Sequence, residues 1–162
     1  MNAQLQQVAD ELRDATARLH RLREAVPALV EKLHVDTDFM LERCITALAR
    51  IGDPEASRLI RAAYLPATDT FKIFSSSVFG SIKHEESEEA ILDLLRSERD
   101  PTFRTLLCVG LCDLFSERGV PVVTSEIESG YDTDFASLEE HLLPVLAALK
   151  IEHPEAERWR DE

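Results

Sequence analysis

Phenylalanine stands at positions 39, 71, 103 and 135, each 32 residues from the last, and eight positions further on each copy carries Ala47, Phe79, Leu111 or Leu143. A separation of eight lies on one helix face two turns apart, so each copy is predicted to open with a helix that buries that face. The surrounding words repeat too: Thr37-Asp38-Phe39 recurs as Thr133-Asp134-Phe135, and Asp69-Thr70-Phe71-Lys72 answers Pro101-Thr102-Phe103-Arg104. The Thr or Asp ahead of each Phe is read as the oxygen that satisfies amides of the first turn. Breaks are expected at Gly52-Asp53-Pro54, His84 and Gly119-Val120-Pro121. Each is followed by a second amphipathic helix, marked by Ala56, Leu59, Ile60 and Ala63, then by Ala90, Ile91, Leu94 and Leu95, then by Val122, Val123 and Ile127. In the last copy the second helix would be the short Pro154–Trp159 segment, with Trp159 closing the final apolar edge.

Residues 1–26 lie outside this period. Their apolar positions run Leu5, Val8, Leu12, Ala15, Leu19, Leu22 and Val26, the alternating three-four spacing of a heptad seam. Two uses are open for such a helix: packing back as a cap on the repeat array of residues 27–162, or self-association through the seam. Ala15 weakens the middle of the seam, which favours the cap and a monomer, with a homodimer through this helix as the alternative.

The run Ala47-Leu48-Ala49-Arg50-Ile51-Gly52-Asp53-Pro54-Glu55-Ala56 resembles the junction between paired helices in HEAT-like repeats of the phycobilisome-lyase type. The resemblance covers roughly residues 25–150, and the family's Val-Arg pair is replaced here by Phe39-Met40, Phe71-Lys72 and Phe103-Arg104. It implies an all-α fold, a short right-handed α-solenoid of about four HEAT-like helix pairs with an N-terminal capping helix, whose second helices line a concave binding face. On that face the expected contacts are Arg58, Arg61, Glu88, Glu89, Asp93, Arg96, Glu126 and Glu128.

Composition agrees with a helical domain: among 162 residues, 44% are hydrophobic and there are only five glycines and seven prolines. Charge sharpens the picture. Residues 1–83 carry 11 basic and 11 acidic side chains, whereas residues 84–162 carry 7 and 20, so the whole excess of −13 sits in the second half. Such a surface repels phosphate backbones and anionic lipid, which argues against nucleic acid and membrane as partners, and against a DNA-repair glycosylase that would need a basic groove. The longest apolar run, Leu106 to Cys112, is far short of a bilayer span, and a cytoplasmic location is expected.

Candidate chemistry is sparse. His84-Glu85 evokes the di-iron hydroxylases built on similar repeats, but the register positions hold Gly52-Asp53 and Ser116-Glu117, without a second histidine. Cys44, Cys108 and Cys112 are odd in number and lack the further ligands of a zinc site, so they are read as packing thiols. Ser75-Ser76-Ser77 with Gly80 has no base or nucleophile elbow beside it and is read as close helix contact. Asp132-Thr133-Asp134 lacks the later ligands of a calcium loop. No cofactor or metal is therefore expected. The expected function is a non-enzymatic scaffold that holds another protein, one with a basic segment, on the concave acidic surface. The alternative, which the resemblance alone implies, is a bilin (tetrapyrrole) lyase-type subunit acting on a phycobiliprotein-like substrate.

Overall fold

The protein's computed structural model describes Arg13, residues 16–20, 22–34 and 38–161. Among these residues it is all-helical, with α1 (Val26–Lys32), α2 (Asp38–Ile51), α3 (Pro54–Tyr64), α4 (Asp69–Ser81), α5 (Glu85–Ser97), α6 (Pro101–Asp113), α7 (Val120–Ser129), α8 (Leu138–Leu149) and α9 (Ala156–Asp161). Residues 16–20 and 22–24 are helical as well.

Boundaries follow local chemistry. Gly52 ends α2 at φ +63°, a conformation that suits glycine, and Asp53 then caps α3 by accepting from the Glu55 amide at 2.9 Å, with Pro54 opening the helix. His84 caps α5 through Nδ1, which accepts from the Glu86 amide at 3.1 Å, and Glu85, Glu86 and Glu88 match the positive end of the helix dipole. For α4 and α6 the caps are Thr68 and Asp100, which lie earlier than the Thr and Asp adjoining each Phe. Asp100 bonds the amides of both Thr102 and Phe103, while the Thr102 hydroxyl is turned outward to the Asp132 carboxylate.

Even-numbered helices pack in succession, α2 on α4, α4 on α6 and α6 on α8, and α1, α3 and α5 do the same beside them. Between these rows lies the core, which includes Leu48, Ile60, Phe71, Phe79, Ile91, Leu107 and Leu111. Small residues set the approach of α4 to α6. A Cβ on Gly80 would lie 2.9 Å from the Asp113 Cβ, and one on Gly110 would lie 3.5 Å from the Ser76 carbonyl oxygen and 3.0 Å from Ile91 Cδ1 of α5. Ser57 of α3 and Ser87 of α5, both fully buried, satisfy each other at 2.7 Å.

The 32-residue period holds for Phe71 and Phe103, both buried third residues of their helices, but not for the fourth copy. Phe135 lies in the turn before α8, 53% exposed, and Leu138, Leu142, Val145 and Leu146 form the buried face instead. The cause is the loop after Gly130: the Asp132 amide donates to Thr105 Oγ1 at 3.0 Å and the Tyr131 hydroxyl donates to Glu139, so the chain stays on α6 until Ser137 caps α8. Asp132 thus anchors a loop, and Asp134 caps nothing.

At the N-terminal end, α1 packs on α2 and α3 and buries Val26 and Val30, with Leu33 buried just beyond it. Leu5, Val8, Leu12 and Ala15 lie outside the described residues, whereas Leu19 and Leu22 are 43% and 52% exposed. At the other end Trp159 of α9 is buried and stacks on His153 at 4.7 Å between ring centroids.

Candidate functional site: an acidic helix face

The eight expected contact residues differ in what they touch. Arg61 of α3 pairs with Asp93 of α5, and Arg96 donates to the same carboxylate at 2.6 Å, so Arg61, Asp93 and Arg96 form one ion cluster across two adjacent helices. Arg58 reaches back to Glu55 at 3.2 Å within its own helix. Glu88 receives the Ser116 hydroxyl and Arg118 Nη1, the latter at 3.0 Å, and so ties α5 to the turn between α6 and α7. Glu89 and Glu128 are exposed and take part in none of these pairs.

Glu126 is a correction. Its side chain is 8% exposed and forms a fork with Arg104, whose Nε and Nη2 donate to its two oxygens at 2.7 and 2.6 Å. Arg104 Nη1 also donates to the carbonyls of Leu95 and Glu98, at 2.7 and 3.0 Å. Burial in this fork removes Glu126 from any contact surface, and the Glu126 bond holds the Arg104 guanidinium above its usual range.

One repeat earlier the same position carries Lys72, whose ammonium donates to Glu98 Oε2 at 2.7 Å and sits 4.7 Å from the Phe103 ring centroid. Burial alone would raise the Glu98 carboxyl. The Lys72 bond and the amides of Asp100 and Arg99 nevertheless bring it below the usual carboxylate range. Lys72 with Glu98 and Arg104 with Glu126 thus form a ladder of two part-buried pairs that fastens α4 and α6 to chain beyond them. Sequence reasoning missed the ladder, although its signal was present: two cations 32 residues apart, each just after a buried Phe.

Reactive chemistry does not assemble. Among the described residues no group of three His, Cys, Asp or Glu side chains is placed to hold a metal ion, and no helix is long and apolar enough to cross a membrane. All three cysteines are buried thiols; burial pushes Cys112 up to about 12 and raises Cys108 as well, which disfavours the thiolate a nucleophile needs. The described histidines around the second half serve structure: His84 caps a helix, His141 Nδ1 lies 2.8 Å from the Ser137 carbonyl, and His153 Nε2 lies 3.2 Å from the Thr124 hydroxyl.

No family model, curated protein or solved structure matches the chain. On α5 and α7 the surface presents Glu85, Glu89 and Glu128 to solvent, with Asp113 and Glu117 exposed nearby in sequence at the end of α6 and the turn after it. The cations Arg61, Arg96, Arg104 and Arg118 are engaged by Asp93, Glu126 and Glu88.

Proposed function

We propose that the chain is a non-enzymatic scaffold, a short right-handed α-solenoid of about four HEAT-like helix pairs, that holds a partner protein through a basic segment of that partner. The helix rows α1-α3-α5 and α2-α4-α6-α8, together with the shared register of Phe71 and Phe103, support the repeat reading. One observation carries the binding reading: Asp93, Glu88 and Glu126 are occupied by arginines, while among the described residues no arginine pairs with the exposed Glu89 and Glu128. These exposed carboxylates generate an attractive field for cations that reaches about 8 Å at physiological ionic strength.

The test is the affinity of a captured partner for the intact chain and for the double variant Glu89→Gln with Glu128→Gln. Glu85 is left in place because it lies in the first turn of α5 and supports that helix. The proposal expects affinity to fall about tenfold or more between low and high salt, with the double variant weaker at low salt and converging on the wild type at high salt. Affinity that is flat with salt and indifferent to both carboxylates overturns it.

A further inference from the structure

Phe115, just past the end of α6, is 48% exposed and its backbone stands at φ +53°. Its amide donates to the Cys112 carbonyl at 2.9 Å and the Ser116 amide donates to the Leu111 carbonyl at 3.1 Å, the pattern that closes a helix on a left-handed residue. Glycine suits that place, and α2 ends on Gly52. A phenylalanine there is strained by its Cβ and stands half in water, so the turn alone does not account for it.

The ring stands between two clefts. One, of about 670 Å³, lies among the ends of α4 and α6 and the flank of α8, and Asp113, Glu140 and His141 line it. The other, of about 290 Å³, opens toward α5 and is lined by Glu85, Glu88 and Glu117. Lys83 borders both, but its ammonium donates to the Gly80 carbonyl at 2.8 Å and to the Asp113 carbonyl, so it serves the negative ends of α4 and α6 rather than the carboxylates. Glu88 is held by Arg118, and His141 Nδ1 faces the Ser137 carbonyl. Among the described residues no cation pairs with Asp113, Glu140, Glu85 or Glu117, all of them exposed. An aromatic face flanked by such carboxylates is complementary to a cation.

Resting on the scaffold reading, we propose that an arginine in the basic segment of the partner docks in the larger cleft, its guanidinium flat on the Phe115 ring and its N–H groups donating to Asp113 and Glu140. Arginine fits better than lysine because its planar, weakly hydrated guanidinium stacks on an aromatic face and still presents a fork of donors. An apolar side chain would cover the ring only by stripping water from the carboxylates beside it. Glu85 and Glu117, on the other side of the ring, attract the cations that flank the arginine.

The test is fluorescence anisotropy of the full chain with a labelled Gly-Ser peptide that carries a few arginines, and with the same peptide carrying lysines instead. The arginine peptide is expected to bind about threefold tighter. Phe115→Ala and Phe115→Gly should each weaken it about fivefold and bring the two peptides level. Asp113→Asn with Glu140→Gln should weaken both peptides at low salt. Because glycine relieves the left-handed turn, the thermal midpoint of Phe115→Gly should lie above that of Phe115→Ala, and an equal loss of binding in the two assigns the effect to the ring. An arginine peptide that does not bind, that binds no better than the lysine peptide, or that is indifferent to Phe115 overturns the proposal. The scaffold reading fails separately, through affinity for the captured partner that is flat with salt and indifferent to Glu89 and Glu128.

Discussion

Replacing Glu126 by alanine strands the Arg104 guanidinium, and the size of the effect follows from the four hydrogen bonds that Arg104 makes. Two go to Glu126 and two to the carbonyls of Leu95 and Glu98, so the substitution removes half of them together with the countercharge. Breaking a buried ion pair from one side costs about 3–5 kcal/mol. Because the Arg104 side chain is 24% exposed, water replaces part of what is lost, which places the expected cost near the lower end, about 3 kcal/mol. For a domain of this size that corresponds to a fall of roughly 6–12 °C in the thermal midpoint. Replacing both residues by leucine should cost less, about 1–2 kcal/mol, because no charge is stranded and only the two carbonyls lose their donor. Urea titration followed by circular dichroism on Glu126→Leu, Arg104→Leu and the double leucine variant gives the coupling directly. A Glu126→Ala protein within about 0.5 kcal/mol of the wild type, the range of ordinary surface changes, would refute the ladder and return Glu126 to the binding face.

Three further outcomes are expected. Gly80→Ala should destabilise the fold by about 1–3 kcal/mol in chemical denaturation, because the new methyl meets the Asp113 Cβ at 2.9 Å; Gly110→Ala should cost less, since the tip of Ile91 gives way more easily. Glu98 is held below the usual carboxylate range in the folded state by Lys72 and the amides of Asp100 and Arg99, so its contribution is full above that range and is lost as pH falls through the lower folded value. The acid-unfolding midpoint should therefore move toward neutrality in Lys72→Met, and an unchanged midpoint would contradict the pairing. Cys44, Cys108 and Cys112 should resist a thiol reagent at neutral pH while the chain is folded and react together once it is denatured; rapid labelling of native Cys112 would contradict its burial.

Much of the architecture was legible because the signals were local. Gly52, Asp53 and Pro54 mark a helix end and the next helix start by backbone preference and capping alone, and Phe71 and Phe103 advertise equivalent buried positions by their spacing. Phe135 misled because spacing carries no knowledge of a loop: the bonds of Tyr131 and Asp132 to Glu139 and Thr105 delay α8 until Ser137. Glu126 misled for a related reason. Its place in a second helix suggested a solvated carboxylate, and only the tertiary approach of Arg104, 22 residues earlier, reveals a buried fork. Glu89 and Glu128 stand exposed as their positions suggested, whereas Arg61, Asp93 and Arg96 form a shared cluster that no single-helix pattern announces.

The most direct test of the scaffold reading is capture of partners from native lysate by the tagged full chain at moderate salt, followed by a salt gradient, mass spectrometry and an absorbance spectrum of the eluate. The account predicts a stoichiometric protein with a basic segment that leaves as salt rises, in a colourless fraction. A coloured eluate, or a phycobiliprotein as the captured chain, would contradict it and assign the fold to tetrapyrrole chemistry.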